Sequence, residues 1–518
     1  GRKLTLLIAC KVLEVLHTTS CLPLRGRRNT IGRKCALGIL LVWAITVGAT
    51  AADLWAQGGP WAEPSDGSHP YFASAEQVVA IRAGQLFDGT GTQYAQNQII
   101  LIRGQDIVEV GTNVNIPSGA TVIDLSDATV LPGMIDTHVH MMGFGSPANQ
   151  WIGGVQSAEM ALHSGFTTVV DQGSRADLPW ATIDLRNAIM DGRLLGPRMQ
   201  VAGPVVNPRG NFPAQLPLGY NNLEIPGDRL EIQGPDAARH AVRLLKVMGA
   251  DWVKVYSTWD NVAPRGDMFE HYPGDIRYLP DTDAMAGLPA LTDEEFAAIA
   301  DEARRLGLVS TCHTYGIGEG AWGCIEAPFD VPMHMMDADH DPALIQEMAN
   351  RGTSVQLSWN DAWTGRRNVS TRAVFRDLLA RGVPLPLGSA TQGGTWTDRE
   401  TNRRPDGTSG VVGEGANVFP IFVEEGMTPA QAINTAFMVA ANDLNYNWAA
   451  RLGSVETGKL ADIIAVPGDP LSDVSEMMNV QFVMRGGVVI RNDLTADVPG
   501  ILAERRQVQN GAAVVGGR

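Results

Sequence analysis

From Pro132 onward the chain alternates short apolar runs with amphipathic stretches, and this alternation constrains the fold more than any other feature. Apolar strands separated by helices read as parallel βα units, because two parallel strands need a long crossover between them. Eight runs carry the strand signature: Met134–His140, Thr167–Asp171, Met199–Val205, Trp252–Tyr256, Leu308–His313, Val331–Met335, Ser354–Trp359 and Pro384–Ala390. Eight units predict an α/β fold of the (β/α)8, TIM-like barrel kind. One unit shows the logic. Thr292 and Glu295 make a capping box, Phe296, Ile299 and Ala303 recur at helical spacing, and Gly307 ends the helix before the next strand.

The flanks have a different texture. Val78–Arg82, Gln98–Arg103, Ile107–Val110 and Thr121–Leu125 are β-like runs broken by Gly and Asp turns, and Ala461–Pro467 and Val480–Arg491 look alike. Short β segments before and after a barrel can pair into one small composite sheet domain. The expected division is a leader over 1–55, a Gly-, Pro- and Ser-rich linker over 56–76, and the first part of the sheet domain over 77–132. The barrel follows over 133–450, then the second part of the sheet domain over 451–495 and a tail over 496–518. In the leader, the basic stretch Arg25–Lys34 precedes the apolar run Ala36–Gly48 and the small residues Ala49-Thr50-Ala51. That order is a secretory signal, which predicts a secreted or periplasmic protein. An uncleaved N-terminal membrane anchor is the alternative, although the run is shorter than the about 20 residues of a spanning helix.

Charge narrows the partners. The net charge is −16, but residues 1–51 carry eight bases against one acid, which leaves −23 on the remainder. So acidic a body excludes nucleic acid as the expected partner, since phosphate neutralisation needs basic surface. Five cysteines, three of them within the first 35 residues, offer no disulfide framework. No feature of the helical stretch Pro429–Asp443 or of the tail specifies a homo-oligomer or argues against one.

Chemistry concentrates at the strand ends. His138 and His140 are two residues apart on one strand, so both imidazoles fall on one face and can share a metal. Lys254 lies in an apolar strand of a chain with only three lysines after residue 51, against 29 arginines. A buried lysine loses its proton readily and can act as a base or take up carbon dioxide as a carbamate; a solvent-seeking lysine at a strand end is the plainer alternative. His313 and His334 end the fifth and sixth strands. Taken singly each reads as a structural histidine. Together these five side chains give enough ligands on one rim for two divalent metals bridged by a carbamate. His163, His240, His271 and His340 fall in helical or loop stretches and read as structural or exposed.

At this point the sequence resembles the amidohydrolase superfamily, nearest to its prolidase (Xaa-Pro dipeptidase) and imidazolonepropionase-like group. The matching stretches are LPGMIDTHVH (131–140), SGFTTVVD (164–171), GADWVKVY (249–256), VSTCHTYG (309–316), the His334 segment and GSVETGKLADIIAVPGDPL (453–471). The resemblance implies a distorted (β/α)8 barrel with a small composite β-sandwich built from both ends of the chain. It implies two divalent metal ions, one on His138 and His140 and one on His313 and His334, bridged by carboxylated Lys254. His and carbamate ligands suit zinc, and manganese, cobalt, nickel or iron are further candidates. The implied reaction is hydrolysis of an amide bond by metal-activated hydroxide, in dipeptides or N-acyl amino acids with a free carboxylate.

The eighth strand of the family ends in a Gly-Thr-Asp-like triplet whose Asp serves as metal ligand and general base. Here the triplet is Gly388-Ser389-Ala390, so Ala390 stands at the position of the general base. Three readings stand: the chain is a naturally degenerate, catalytically impaired metal-binding member; Ala390 is an introduced inactivating change; or a nearby acid, Asp398 or Asp361, takes over the role. Tyr256, two residues beyond Lys254, is expected at the oxyanion or substrate, or packing the barrel mouth. Arg209, in the turn after strand three, is a candidate clasp for a substrate carboxylate. Opening of a cyclic amide or lactone is the alternative reaction.

Overall fold

Strands β1 (Val78–Leu86), β2 (Ala95–Arg103), β3 (Asp106–Gly111) and β4 (Thr121–Pro132) open the fold, each longer than its sequence signature. They are followed by β5 (Met134–His140), β6 (Phe166–Asp171), β7 (Arg198–Val201), β8 (Val206–Pro208), β9 (Leu230–Ile232), β10 (Trp252–Tyr256), β11 (Val309–Tyr315), β12 (Val331–Met336) and β13 (Thr391–Gln392). β14 (Ile463–Val466), β15 (Phe482–Arg485) and β16 (Val488–Asn492) complete the series. The structure is a computed structural model, and it describes residues 69–502 apart from 144, 174–177, 209–229, 258–288, 316–317, 337, 358–365 and 402–409. Arg209, His271, Asp361 and the leader therefore lie outside the described residues. The chain divides into two units, 1–60 and 61–518, and the account below concerns the second.

Both ends of the chain meet in one seven-stranded sheet, in the order β16-β15-β14-β4-β1-β2-β3. The join is antiparallel pairing of β14 with β4, with Ile464 opposite Leu131 and Val466 opposite Thr129. Strand alternation turns Ile81, Ile123, Ile463, Ala465, Phe482 and Met484 into one buried apolar cluster, so neither end has a core without the other. His69 and Phe72, in the segment expected as linker, are buried as well. Phe72 lies under the guanidiniums of Arg485 and Arg198, at 4.0 and 5.2 Å.

β5 to β13 form two further sheets, β13-β5-β6-β7 and β12-β11-β10-β8-β9, and every pairing within them is parallel. Helices alternate with these strands: α1 (Pro147–His163), α2 (Ala181–Met190), α3 (Pro235–Met248), α4 (Asp293–Leu306), α5 (Glu319–Glu326), α6 (Pro342–Arg351) and α7 (Arg366–Ala380). This is a TIM-barrel-like α/β arrangement. Backbone bonds also tie these strands to the irregular segments around residues 355–356 and 384–387, and the start of β10 to β7. Asp251 N donates to Val201 O at 2.8 Å, Gln356 N to Pro332 O at 3.0 Å, Val355 N to Pro384 O at 3.0 Å and Thr137 N to Leu387 O at 2.9 Å.

Three of the eight expected strands differ from their sequence reading. The third is split into β7 and β8, with Gly203 at φ 69° between them. The seventh is reduced to a bridge between Gln356 and Met333, and its last residues lie outside the description. The eighth, expected at Pro384–Ala390, is an irregular extended segment, and regular pairing begins only at β13. Pro384 and Pro386 bring no amide donors and Leu387 N goes to Thr435 O, so a regular ladder cannot form.

The helix expected after Thr292 is α4, with the capping box in place: Thr292 Oγ1 accepts from Glu295 N at 3.3 Å and Glu295 Oε2 accepts from Thr292 N at 2.9 Å. Glu295 Oε1 also accepts from Gly234 N at 2.6 Å, which locks α3 to α4. One disulfide joins Cys312 of β11 to Cys324 of α5, a local cross-link that the scarcity of cysteines did not announce.

At the starting ends of β11 and β12 lies a cavity of about 760 Å³, lined by Asp330, Ser354, Asn442 and Asp443 among others. Burial pushes the Asp443 carboxyl up to about 7, opposed by a hydrogen bond from Ser354 Oγ at 3.0 Å and assisted by the charge of Asp330. A carboxyl raised in the folded state favours folding while protonated, and loses that contribution as pH rises through about 7. Asp443→Asn is therefore expected to raise the melting temperature clearly at pH 8 and by much less at pH 4.5, close to the unfolded carboxyl's own range. A melting-temperature series across this range checks it; an equal shift at both pH values contradicts it.

Candidate active site

The side chains singled out at the strand ends come together. His138 is fully buried, Lys254 is 1% exposed, and Lys254 Nζ lies 3.4 Å from His138 Nε2 and 3.3 Å from Met333 Sδ. The rings of His138 and His140 are 5.4 Å apart between centroids, those of His138 and His334 5.2 Å, and those of His313 and His334 4.2 Å. His334 Nε2 and His313 Nδ1 share a hydrogen bond of 2.8 Å. Four histidines and a lysine thus form one cluster, buried except at the half-buried His140.

Strand register explains most of this placement. In the parallel β10–β11 pair, Lys254 stands opposite Thr311 and Tyr256 opposite His313, so Lys254, Tyr256 and His313 share a face. The Tyr256 ring packs edge-on against His313 at 4.6 Å. His334 needs a different device. In plain alternation Met333 would face Lys254, as it does, and His334 would face away. The register slips between Thr314 and Tyr315, and His334 and Met335 take left-handed conformations, φ 68° and 45°. This bulge turns His334 back toward His313.

Asp136 completes the end of β5, and the sequence analysis did not single it out. Its Oδ1 accepts from His138 N at 3.1 Å and Ser389 N at 3.0 Å, and its Oδ2 accepts from Ser389 Oγ at 2.5 Å. Burial pushes its carboxyl up to about 6 against the bonds from Ser389 and His138. The signal was present in the sequence, an acid two residues before the first histidine of the pair. His138 itself is held well below the usual imidazole range, first by burial and then by the charges of Lys254, His334, His140 and His313.

Ala390 lies where the eighth strand meets the cluster: its N–H donates to His138 O at 2.7 Å. Its φ is 55°, the left-handed region that Asp and Asn enter far more readily than Ala. The backbone here suits an acid that the sequence lacks. Asp398, a suggested substitute, has its carboxylate engaged by Thr395 N at 2.7 Å and Thr395 Oγ1 at 2.8 Å. His163 and His240 lie in helices and His340 in a single 3-10 turn, as expected.

A divalent cation is tested by the donors. His138 Nδ1 is buried with no hydrogen-bond partner among the described residues, an arrangement that costs energy until something ligates or bonds it. Imidazoles with a carbamate-forming lysine are a suitable donor set for zinc-like ions. As the side chains stand, no group of three or more His, Cys, Asp or Glu among the described residues is arranged to hold an ion. The direct bond between His313 and His334 accounts for part of that, since each ring spends a nitrogen on the other. The donors fit a cation in kind, and an ion there would have to replace that bond.

Residues 129–490 match the amidohydrolase family. The imidazolonepropionase of Geobacillus kaustophilus is 25% identical over 440 residues, 78% of this chain and 90% of that protein. The dihydroorotase of Mycobacterium leprae is 31% identical over 92 residues, and the match spans only 20% of its length. Among solved structures, a Xaa-Pro dipeptidase with methionine bound in its active site superposes with a TM-score of 0.65 at 26% identity, covering 80% of this chain and all of that one.

Removing the Asp136 carboxylate strands the buried amides of His138 and Ser389. Asp136→Ala is expected to destabilise the protein by about 2–3 kcal/mol, the cost of unsatisfied buried groups. Asp136→Asn, which keeps an acceptor, should lose less. Urea unfolding of both variants measures this, and equal losses would show that the hydrogen bonds are not what Asp136 contributes.

Proposed function

Since the chain belongs to the amidohydrolase family, and is a hydrolase of C–N bonds, we propose that its substrates are dipeptides or N-acyl amino acids, cleaved at the amide. The observation that carries this reading is the buried cluster of His138, His140, Lys254, His313 and His334. Likeness to a Xaa-Pro dipeptidase over 80% of the chain supports the substrate class. In this reading the parallel strands close into an eight-stranded barrel over 133–450, and the sheet shared by 77–132 and 451–495 folds over its apolar cluster as a sandwich.

His138 and His140 would hold one divalent ion, His313 and His334 a second, and Lys254, carboxylated by carbon dioxide, would bridge them. Such ions supply a polarised carbonyl and a water acidic enough to attack at neutral pH. The chain's own groups do the rest. Lys254, 1% exposed beside His138, presents the amine that carbon dioxide would take up. Tyr256, packed on His313 at the end of β10, would donate to the carbonyl oxygen as charge develops there. Arg209 would clasp the substrate carboxylate. The leader over 1–55 would export the protein, and the Cys312–Cys324 disulfide supports an oxidising compartment.

Ala390 is the weak point. A positioned acid–base group contributes about 10²–10⁴-fold to a rate, and Ala supplies none. The left-handed backbone at 390 should accept Asp without strain. Ala390→Asp is therefore expected to fold as stably as the parent and to raise kcat on a dipeptide by about 10²-fold or more. A panel that adds a cyclic amide and a lactone locates the preferred bond, and faster turnover of a ring would replace the linear-amide reading. A folded, metal-loaded variant with no gain on any substrate would mark the protein as a binding member of the family.

A further inference from the structure

Cys312 and Cys324 are fully buried, joined by a disulfide, and placed on either side of the turn from β11 into α5. Cys312 is the residue immediately before His313. Thr314, the residue after it, is also fully buried, and its Oγ1 lies 3.2 Å from Cys324 Sγ and 2.6 Å from Ser257 Oγ. Ser257 in turn gives both its N–H and its hydroxyl to the His313 carbonyl, at 3.1 and 3.0 Å. The backbone of His313 is therefore gripped on both sides, covalently through 312 and by hydrogen bonds through 314 and 257.

The grip acts where the site needs it. His313 must meet His334, and His334 sits on a left-handed bulge. A bulge fixes a direction only relative to its neighbour strand, so the facing histidine has to be held by something other than that bulge. His313 is the last residue of β11 paired with β10, opposite Tyr256, whereas the pairing with β12 runs from His313 opposite Met333 through the register slip to Tyr315 opposite Met336. The cross-link to α5 adds a covalent tie one residue before His313, where the β10 ladder is about to end.

We propose that Cys312 and Cys324 are positioning residues for His313, so that the His313–His334 half of the site is assembled for an ion only in the oxidised chain. The inference rests on reading His313 as a metal ligand. Reduction by a phosphine would give two thiols and a phosphine oxide, with water supplying the oxygen and the two protons. The freed strand end would then let His313 drift from His334.

The test compares the full-length wild type with Cys312→Ala/Cys324→Ala, using zinc and a competing chelator, at a temperature where circular dichroism shows both folded. One of the two zinc equivalents is expected to bind about 10–100-fold more weakly in the variant, the effect typical of losing a ligand's support. kcat should fall with little change in KM. Should the variant fail to fold, the wild type reduced by a phosphine and then reoxidised gives the same readout, with affinity lost and then restored. Alkylation of the denatured, unreduced protein should leave positions 312 and 324 unmodified. Unchanged zinc affinity alongside a lowered melting temperature would make the disulfide a stability device only. Labelled thiols at 312 and 324 would overturn the proposal outright. A wild type that binds no zinc would remove the ligand reading and this inference with it, whereas equal binding by wild type and variant would remove this inference alone.

Discussion

The contact of Lys254 with His138 is what the rest of the site depends on. An amine 1% exposed, 3.4 Å from a fully buried imidazole, cannot keep its charge cheaply, because burial penalises the charged forms of both. Burial and the charge of Lys254 together hold His138 well below the usual imidazole range. Each feature around the pair serves to hold it in place. The parallel register sets Tyr256 and His313 on the lysine's face, the bulge at His334 brings in the fourth ring, and Asp136 ties the end of β5 to Ser389.

The same logic bears on the parallel strands, which are buried along most of their length and mix apolar with polar side chains. Strands buried on both faces must fill their inward positions with side chains that need no water. The polar exceptions then have to find partners among themselves at one end. Here they include the histidines, Lys254, Asp136 and Thr137, beside Thr168, Asp171, Gln200 and Thr311 on the same strands. Thr137 gives its hydroxyl to Leu387 O at 2.8 Å, which joins β5 to the irregular eighth segment. The opposite end of the strands carries a different polar set, Asp330 and Asp443, around its own cavity.

Much of this was legible in the sequence. The strand and helix alternation gave β5, β6, β10, β11 and β12 nearly to the residue, and the spacing of Lys254 and the histidines placed the cluster. What was not legible depends on single backbone turns and on contacts distant in sequence. Nothing in the letters around His334 shows that its φ is positive, or that Thr314 and Tyr315 shift register to let it turn inward. Asp136 looked like one more strand residue until Ser389, 253 positions away, came to lie against it. Cys312 and Cys324 looked too few to matter, because pairing is decided by how β11 meets α5. The Pro384-Leu385-Pro386 stretch did carry a warning against a regular eighth strand, and the apolar pattern outweighed it.

In the function proposed above, this cluster is a metal centre organised by Lys254. Elemental analysis of the purified protein and of Lys254→Ala tests it most directly. Close to two equivalents of a divalent metal in the parent, falling sharply in the variant, is the expected result. Metal absent from both proteins, or bound equally by both, would contradict it.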